Sequence, residues 1–296
     1  MNTSYKDYKQ FDKHRELARL YDKDIAQSNV SQSSYEFAIL KSKLKELKSP
    51  IVVDTGCGTG RFMLACIKAN PTAKYIGIDI SLVMLLQAID NFKNSGYSCY
   101  FPGWSEKPTF NHLMKELRRN NLALINTFVQ DTTLPPNFCD IVFEVNSGGD
   151  FIAGLPDYEQ RKEHYNTLLL ATRAYETAKI LKVGGKLVHV CIDNSKGPHE
   201  NYHKFLARLS LNLFDSEYRD INDAEAFKVW KLLTGRDDKE LFLHLACYEK
   251  TGYNSYILSK RNMWLQEYLR TVRRINNVKR MQLFVPLHYD STTQIS

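Results

Sequence analysis

The chain has 296 residues, 43% hydrophobic and 25% charged, the balance of an ordinary globular protein of one or two domains. That balance excludes a disordered tail, a collagen-like fibre and a disulfide mini-protein. No apolar run approaches the ~18 residues of a membrane span, and the polar start of the chain lacks a signal peptide's apolar core, so a cytoplasmic protein is expected. Lys and Arg (40) outnumber Asp and Glu (33), for a net charge of +7. Such an excess suits a polyanionic partner and equally plain solubility.

Residues 1–49 are polar and helix-like, with Phe37, Leu40, Leu44 and Leu47 near helical spacing, and they form an expected N-terminal helical cap. After Pro50, Ile51-Val52-Val53 has the apolar character of a parallel strand covered on both faces. A glycine-rich turn then opens a helix over about 60–70, followed by a strand at Lys74–Asp79 and a helix over about 82–94 capped by Ser81. Further strands are expected at Ile125–Gln130, Cys139–Val145 and, after Gly184-Gly185, Lys186–Ile192, with a long helix over about 157–181. Two or three helices are expected within 196–251, then strands at Asn254–Ser259 and Met281–His288 with a helix at about 262–275 between them. Strand–helix alternation at this spacing implies βαβ units. The expected architecture is an α/β, Rossmann-like, doubly wound and mostly parallel seven-stranded sheet with helices on both faces. Its core spans 50–195 with an insertion at 97–122, and 196–296 supplies C-terminal helices and the last two strands.

Cys57, Cys66, Cys99, Cys139, Cys191 and Cys247 form no C-x-x-C pair and have no metal-ligand spacing with histidine. Reduced thiols packed as small hydrophobes are expected, and no metal.

The stretch Asp54–Asp79 carries chemistry. Gly56, Gly58 and Gly60 give G-x-G-x-G between a strand and a helix, where backbone can approach a ligand closely and free N–H groups point outward. The dinucleotide fingerprint is G-x-G-x-x-G, and here Arg61 stands where its third glycine would be. Asp54 precedes the turn. Asp79 ends the next strand, the place from which a carboxylate reaches ribose hydroxyls.

Four segments in register resemble the class I S-adenosylmethionine-dependent methyltransferases: Val53–Gly60, Ile76–Ser81, Phe128–Pro135 with Cys139–Phe143, and Leu181–Leu187. The resemblance implies S-adenosylmethionine as cofactor and S-adenosylhomocysteine as product. It places Asp54, Gly56, Cys57, Gly58 and Gly60 under the methionine part, Asp79 on the ribose and Ile80 beside the adenine. Asp131 would accept from the adenine amino group with Thr132 next to it, and Glu144 and Asn146 would line the methyl-donor end.

Acceptor identity should lie after the fourth strand. Glu144–Phe151 lacks D/N-P-P-Y/F, lacks a Pro-Cys nucleophile, and poorly matches the paired-glutamate loop of protein arginine methyltransferases. A small or medium-sized acceptor is therefore expected, methylated at O, N or C, with Glu144 and Asp150 as candidate bases. Tyr21, Tyr35, Trp104 and Phe151 are candidates for an aromatic wall over it. The lysines at 41, 43, 45 and 48 and the basic residues at 270–280 keep an RNA acceptor as one alternative. In support, Tyr75–Ser81 is similar to the corresponding stretch of messenger-RNA cap guanine-N7 methyltransferases. A cofactor-binding scaffold without catalysis is the other alternative.

Overall fold

The computed structural model describes residues 5–103, 108–145, 158–193, 200–221, 224–234, 240–252 and 256–274. Ile51–Thr55 (β1), Lys74–Asp79 (β2), Leu122–Asn126 (β3), Cys139–Val145 (β4), Leu181–Asp193 (β5), Leu211–Ile221 (β6) and Leu241–Lys250 (β7) build one sheet. Its order is β3-β2-β1-β4-β5-β7-β6. The first five strands run parallel, and β7 is antiparallel to both its neighbours. This is the mostly parallel seven-stranded α/β sheet expected from the sequence and the typical methyltransferase fold.

The helices are Tyr5–Tyr21 (α1), Asn29–Ser42 (α2), Arg61–Ala69 (α3), Leu82–Asn94 (α4), Phe110–Asn120 (α5), Tyr158–Ile180 (α6), Glu200–Arg208 (α7), Ala224–Thr234 (α8) and Tyr256–Arg274 (α9). Phe37 of α2, Phe62 and Met63 of α3 and Leu85 of α4 cover one sheet face over Val52, Phe143 and Val188. Leu113 and Leu117 of α5, Ala174 of α6 and Leu206 of α7 cover the other over Val53, Ile76 and Val142. Burial on both faces is why β1 and β4 read as nearly continuous apolar runs. Helix starts follow side-chain caps: Ser28, Ser81 and Thr109 each accept a backbone N–H from the first turn.

Two expectations are corrected. The third strand lies at Leu122–Asn126, earlier than Ile125–Gln130, because the ladder with β2 pairs Tyr75 with Leu122 and Asp79 with Asn126. The last two strands are β6 and β7, inside the stretch expected to be helical, whereas Tyr256 onward, where a strand was expected, is helix α9. The physical reason lies in β6. As the edge strand it carries the half-buried Asp215 and Glu217 and the exposed Arg219, and those charges are held by α2: Lys41 pairs with Asp215 at 2.8 Å and Glu217 at 3.4 Å. The Arg219 guanidinium lies 4.0 Å from the Phe37 ring centroid. The segment expected as a strand at 281–288 lies outside the described residues.

All six cysteines are free, with Cys99 and Cys191 half-buried and the rest buried. Among the described residues no helix is long and apolar enough to cross a membrane.

Candidate cofactor site at the carboxyl ends of the strands

β1 leads directly into the glycine turn. Gly56, Gly58 and Gly60 have φ of +79°, +52° and +73°, in the left-handed region where a side chain is strained. The N–H groups of Gly56 and Cys57 both donate to the Ile78 carbonyl, at 2.7 and 3.0 Å, which ties the turn to the end of β2. A Cβ at Gly60 would sit 2.6 Å from Phe92 Cζ, so glycine lets α3 and α4 close against each other.

Asp79 stands beside this turn. Its Oδ2 accepts from Gly58 N–H at 2.9 Å and its Oδ1 from Ser81 N–H at 2.8 Å. The Ile80 N–H also acts on this carboxylate, and with about four lone-pair sites a carboxylate keeps some accepting capacity beyond these donors. Burial raises its pKa, and the N–H donors oppose the rise.

Asp54 is 3% exposed, and neither carboxylate oxygen has a hydrogen-bond partner among the described residues. Burial, and then the charge of Asp79, push it up to about 8, against the pull of Arg173. A buried carboxylate without donors costs free energy unless something cationic or donating meets it. The residues fit the methionine end of S-adenosylmethionine on this observation: an orphaned acid, an open glycine backbone and a second acid with free lone pairs.

The N-terminal segment covers the turn. Asp22 begins a single π-helical stretch, Asp22–Ala26, and is 4% exposed. Arg61 grips it through Nε at 2.9 Å and Nη2 at 2.6 Å, while Asn91 Nδ2 donates to Asp22 at 2.8 Å and to the Thr59 carbonyl at 2.9 Å. Arg61, the departure from the dinucleotide fingerprint, therefore latches the cap to the glycine turn. Burial, then the charges of Asp79 and Asp22, raise the Tyr21 phenol. Tyr35 is raised by burial and then by Tyr21 and Asp54. The Tyr35 hydroxyl donates to the Ala26 carbonyl at 3.2 Å. Trp104 and Phe151, the other two members of the expected wall, lie outside the described residues.

On the side expected for the adenine, Ile80 packs against the cluster that holds Leu265 and Tyr268, as does Phe128. Asn126 Nδ2 donates to the Asp79 and Ile80 carbonyls at 3.1 and 2.9 Å, holding this corner. Asp131 is close by, since Thr127 donates its hydroxyl to the Asp131 carbonyl at 3.1 Å and its N–H to the Asp79 carbonyl. Arg261 of α9 donates to Asp131 Oδ1 at 3.1 Å and to Glu176 at 2.5 Å. Thr132 is directed at Glu176, donating through both N–H (2.9 Å) and hydroxyl (2.6 Å), which joins it to the Arg261–Glu176 ion pair.

Glu144 departs from expectation as a base. It is fully buried on the face beneath α6 and α7 and meets Thr177 at 3.0 Å, Tyr202 at 2.7 Å, Arg173 at 3.2 Å and His189 at 3.1 Å. Burial would raise its pKa, but Arg173, His189 and Tyr202 hold it down to about 2. A carboxylate so saturated and so acidic is a poor proton acceptor. The expectations for Asn146 and Asp150 fall outside the described residues.

Asp22, Asn91, Asn126 and Arg173 stand outside the motifs legible in the sequence. Asn91 had a signal: it follows Ala88 and precedes Phe92 on the apolar face of α4, where a polar residue is out of place. Asp22 and Arg173 had none, because their partners lie far away in the chain.

Residues 47–182 match the family model described as a methyltransferase domain. This match and the sheet order above are those of a class I S-adenosylmethionine-dependent methyltransferase domain. The chain is 33% identical over 78 residues to the tRNA (guanine-N(7)-)-methyltransferase of Streptococcus pneumoniae, covering 25% of this chain and 37% of that protein. It is 41% identical over 56 residues to the tRNA U34 carboxymethyltransferase of Campylobacter lari, covering 19% of each. The chain thus spans little more than a third of the first relative and a fifth of the second. In fold it resembles the N-methyltransferase NodS of Bradyrhizobium japonicum, solved with S-adenosyl-L-homocysteine, at a TM-score of 0.51 and 15% identity over 82% of this chain and 99% of NodS.

Proposed function

We propose that the chain binds S-adenosylmethionine and transfers its methyl group to a small or medium-sized acceptor at an O, N or C atom. The observation that carries this reading is Asp54, a buried carboxylate with both oxygens unpartnered at the mouth of a left-handed glycine turn. When bound, the cofactor supplies a methyl group on a sulfonium with a neutral leaving group, so orientation and exclusion of water are the protein's main tasks. Asp54 meets a cationic group, and Gly56, Cys57, Gly58 and Gly60 let the backbone approach it. Asp79 accepts from hydroxyls through the capacity its backbone donors leave. Ile80 packs on the flat base, and Asp131 accepts from its amino group beside Arg261. Tyr21 and Tyr35, held by the Asp22–Arg61 latch, keep water out. Asp150 remains the candidate base and Asn146 a candidate at the methyl-donor end.

Calorimetry with S-adenosylmethionine tests the cofactor half. Asp79→Ala should weaken binding by about tenfold or more; equal affinity of the variant, or no binding by the parent chain, overturns it. Incubation with methyl-labelled cofactor and fractionated extract tests the transfer half. Binding without label in any fraction would favour a non-catalytic scaffold.

An RNA acceptor is the second reading, favoured by the names of the two partial relatives. A surface groove of about 1020 Å³ between α2 and α3 is lined by Lys43, Lys45, Lys68 and Arg61 along with Glu36 and Glu46. Lys41 of the same helix is already neutralised by β6. RNA binding that weakens steeply with salt would support this reading, through counterion release; absent or salt-independent binding counts against it.

A further inference from the structure

A second group of polar side chains lies on the sheet face beneath α7. β5 contributes His189, β7 contributes His244 and Tyr248, β6 contributes Tyr218, and α7 contributes Tyr202 and His203. The ladders pair His244 with Cys191 on one side and Tyr218 on the other. Cys191 lies two residues before the end of β5, so His244 sits near the edge where doubly wound sheets take ligands. Three strand spacings, about 14 Å, separate β7 from β1 and Asp54.

His244 is 2% exposed, and neither of its ring nitrogens has a hydrogen-bond partner among the described residues. A buried polar atom left unpaired bears its full desolvation cost. The surrounding rings are engaged: His189 and Tyr202 with Glu144, and Tyr248 with His203. The His244 ring stacks on Tyr218, with centroids 4.4 Å apart and planes at 15°. Tyr218 is 39% exposed, so this stack leads from solvent to the buried imidazole. His203 and His189 lie 5.7 and 6.5 Å from His244, centroid to centroid.

Arg173 and His189 meet Glu144 at 3.2 and 3.1 Å on this face. An imidazole offers at least one ring N–H to an oxygen acceptor and its protonated form offers two, so an anionic oxygen suits the unpartnered His244 ring. The donors do not converge as a metal site would: no group of three or more His, Cys, Asp or Glu among the described residues is placed to hold an ion.

We propose that His244, with His203 and Tyr218, anchors an anionic oxygen group, a carboxylate or a phosphate, carried by the methyl acceptor. The assignment of that guest as the acceptor rests on the methyltransferase reading above. The test is NMR of the full chain with labelled histidine, titrated separately with benzoate and with inorganic phosphate. The His244 ring signals should move with at least one probe. His244→Gln should weaken that probe's binding about tenfold or more, and Tyr218→Ala, which leaves the buried ring in place, should weaken it too. A response to benzoate alone identifies a carboxylate-bearing acceptor, and to phosphate alone a phosphorylated one. No shift with either probe, or unchanged affinity in both variants, overturns the proposal. S-adenosylmethionine calorimetry on the same samples separates the two readings. Cofactor binding with no anion response refutes the anchoring site alone; an anion response with no cofactor binding refutes the methyltransferase reading.

Discussion

Replacing Asp54 by asparagine should flatten the pH dependence of stability and tighten the cofactor-free fold at alkaline pH. Asp54 has an ordinary value of 3.8 and is pushed to about 8 in the fold, first by burial and then by Asp79. The folded state therefore holds a proton that the unfolded chain has released across that window. Stability must fall as pH rises: the contribution is fully present below the unfolded value and lost as pH passes through the folded one. At about 1.36 kcal/mol per pH unit, a window of roughly four units sets an upper bound of about 5–6 kcal/mol. Relaxation of the site reduces such figures, so a difference of about 3 kcal/mol is expected. Asp79, also raised by burial, leaves a residual slope of the same sign. Urea unfolding of the cofactor-free chain at about pH 5 and about pH 8 measures the two slopes. Asp54→Asn should gain on the parent chain at the higher pH. Parallel slopes for the two proteins would refute the reasoning. A cationic ligand draws the proton off Asp54, so parent-chain affinity for S-adenosylmethionine should rise between about pH 6 and pH 8, and the variant's should not.

Other substitutions probe separate parts of the fold. Glu144→Gln leaves the buried Arg173 and His189 without their anion; it should cost about 3–5 kcal/mol in urea unfolding and lower the His189 titration seen by NMR from about 9. Gly60→Ala combines a φ of +73° with a contact of 2.6 Å to Phe92, and about 2–4 kcal/mol of destabilisation is expected in a thermal melt. Lys250, fully buried, donates to Asn137 at 3.0 Å and to the Ala178 and Leu181 carbonyls at 2.8 and 2.6 Å. Lys250→Met leaves those acceptors unpaired and should cost about 2–4 kcal/mol in urea unfolding. Arg61→Ala strips Asp22 of its bidentate partner, so limited proteolysis should cut the N-terminal segment faster while leaving the sheet intact; an unchanged cleavage rate would count against a latch.

Local pattern determined much of the central architecture. The apolar runs of β1, β2 and β4, the glycine turn, the Ser81 cap and the acids at strand ends are short-range signals, and each fell where the chain's own periodicity placed it. These elements need only burial on both faces and a backbone able to turn, both legible over a few residues. β6 and β7 were not legible. β6 carries Asp215, Glu217 and Arg219 in a pattern that looks solvated until Lys41 and Phe37, over 170 residues away, cover it. The same holds within the site. Glu144 reads as a reactive acid beside the fourth strand, yet Arg173, His189 and Tyr202 arrive from three other elements and hold it ionised and saturated. Asp54 reads as one more acid of a motif, yet its lack of donors and its raised pKa exist only once the fold has buried it beside Asp79. The sequence by itself determined which backbone can bend, which strands are buried and where acids stand. The tertiary structure decided which of those acids are spent and which are left open, because hydrogen-bond satisfaction and burial are set by partners distant in the chain.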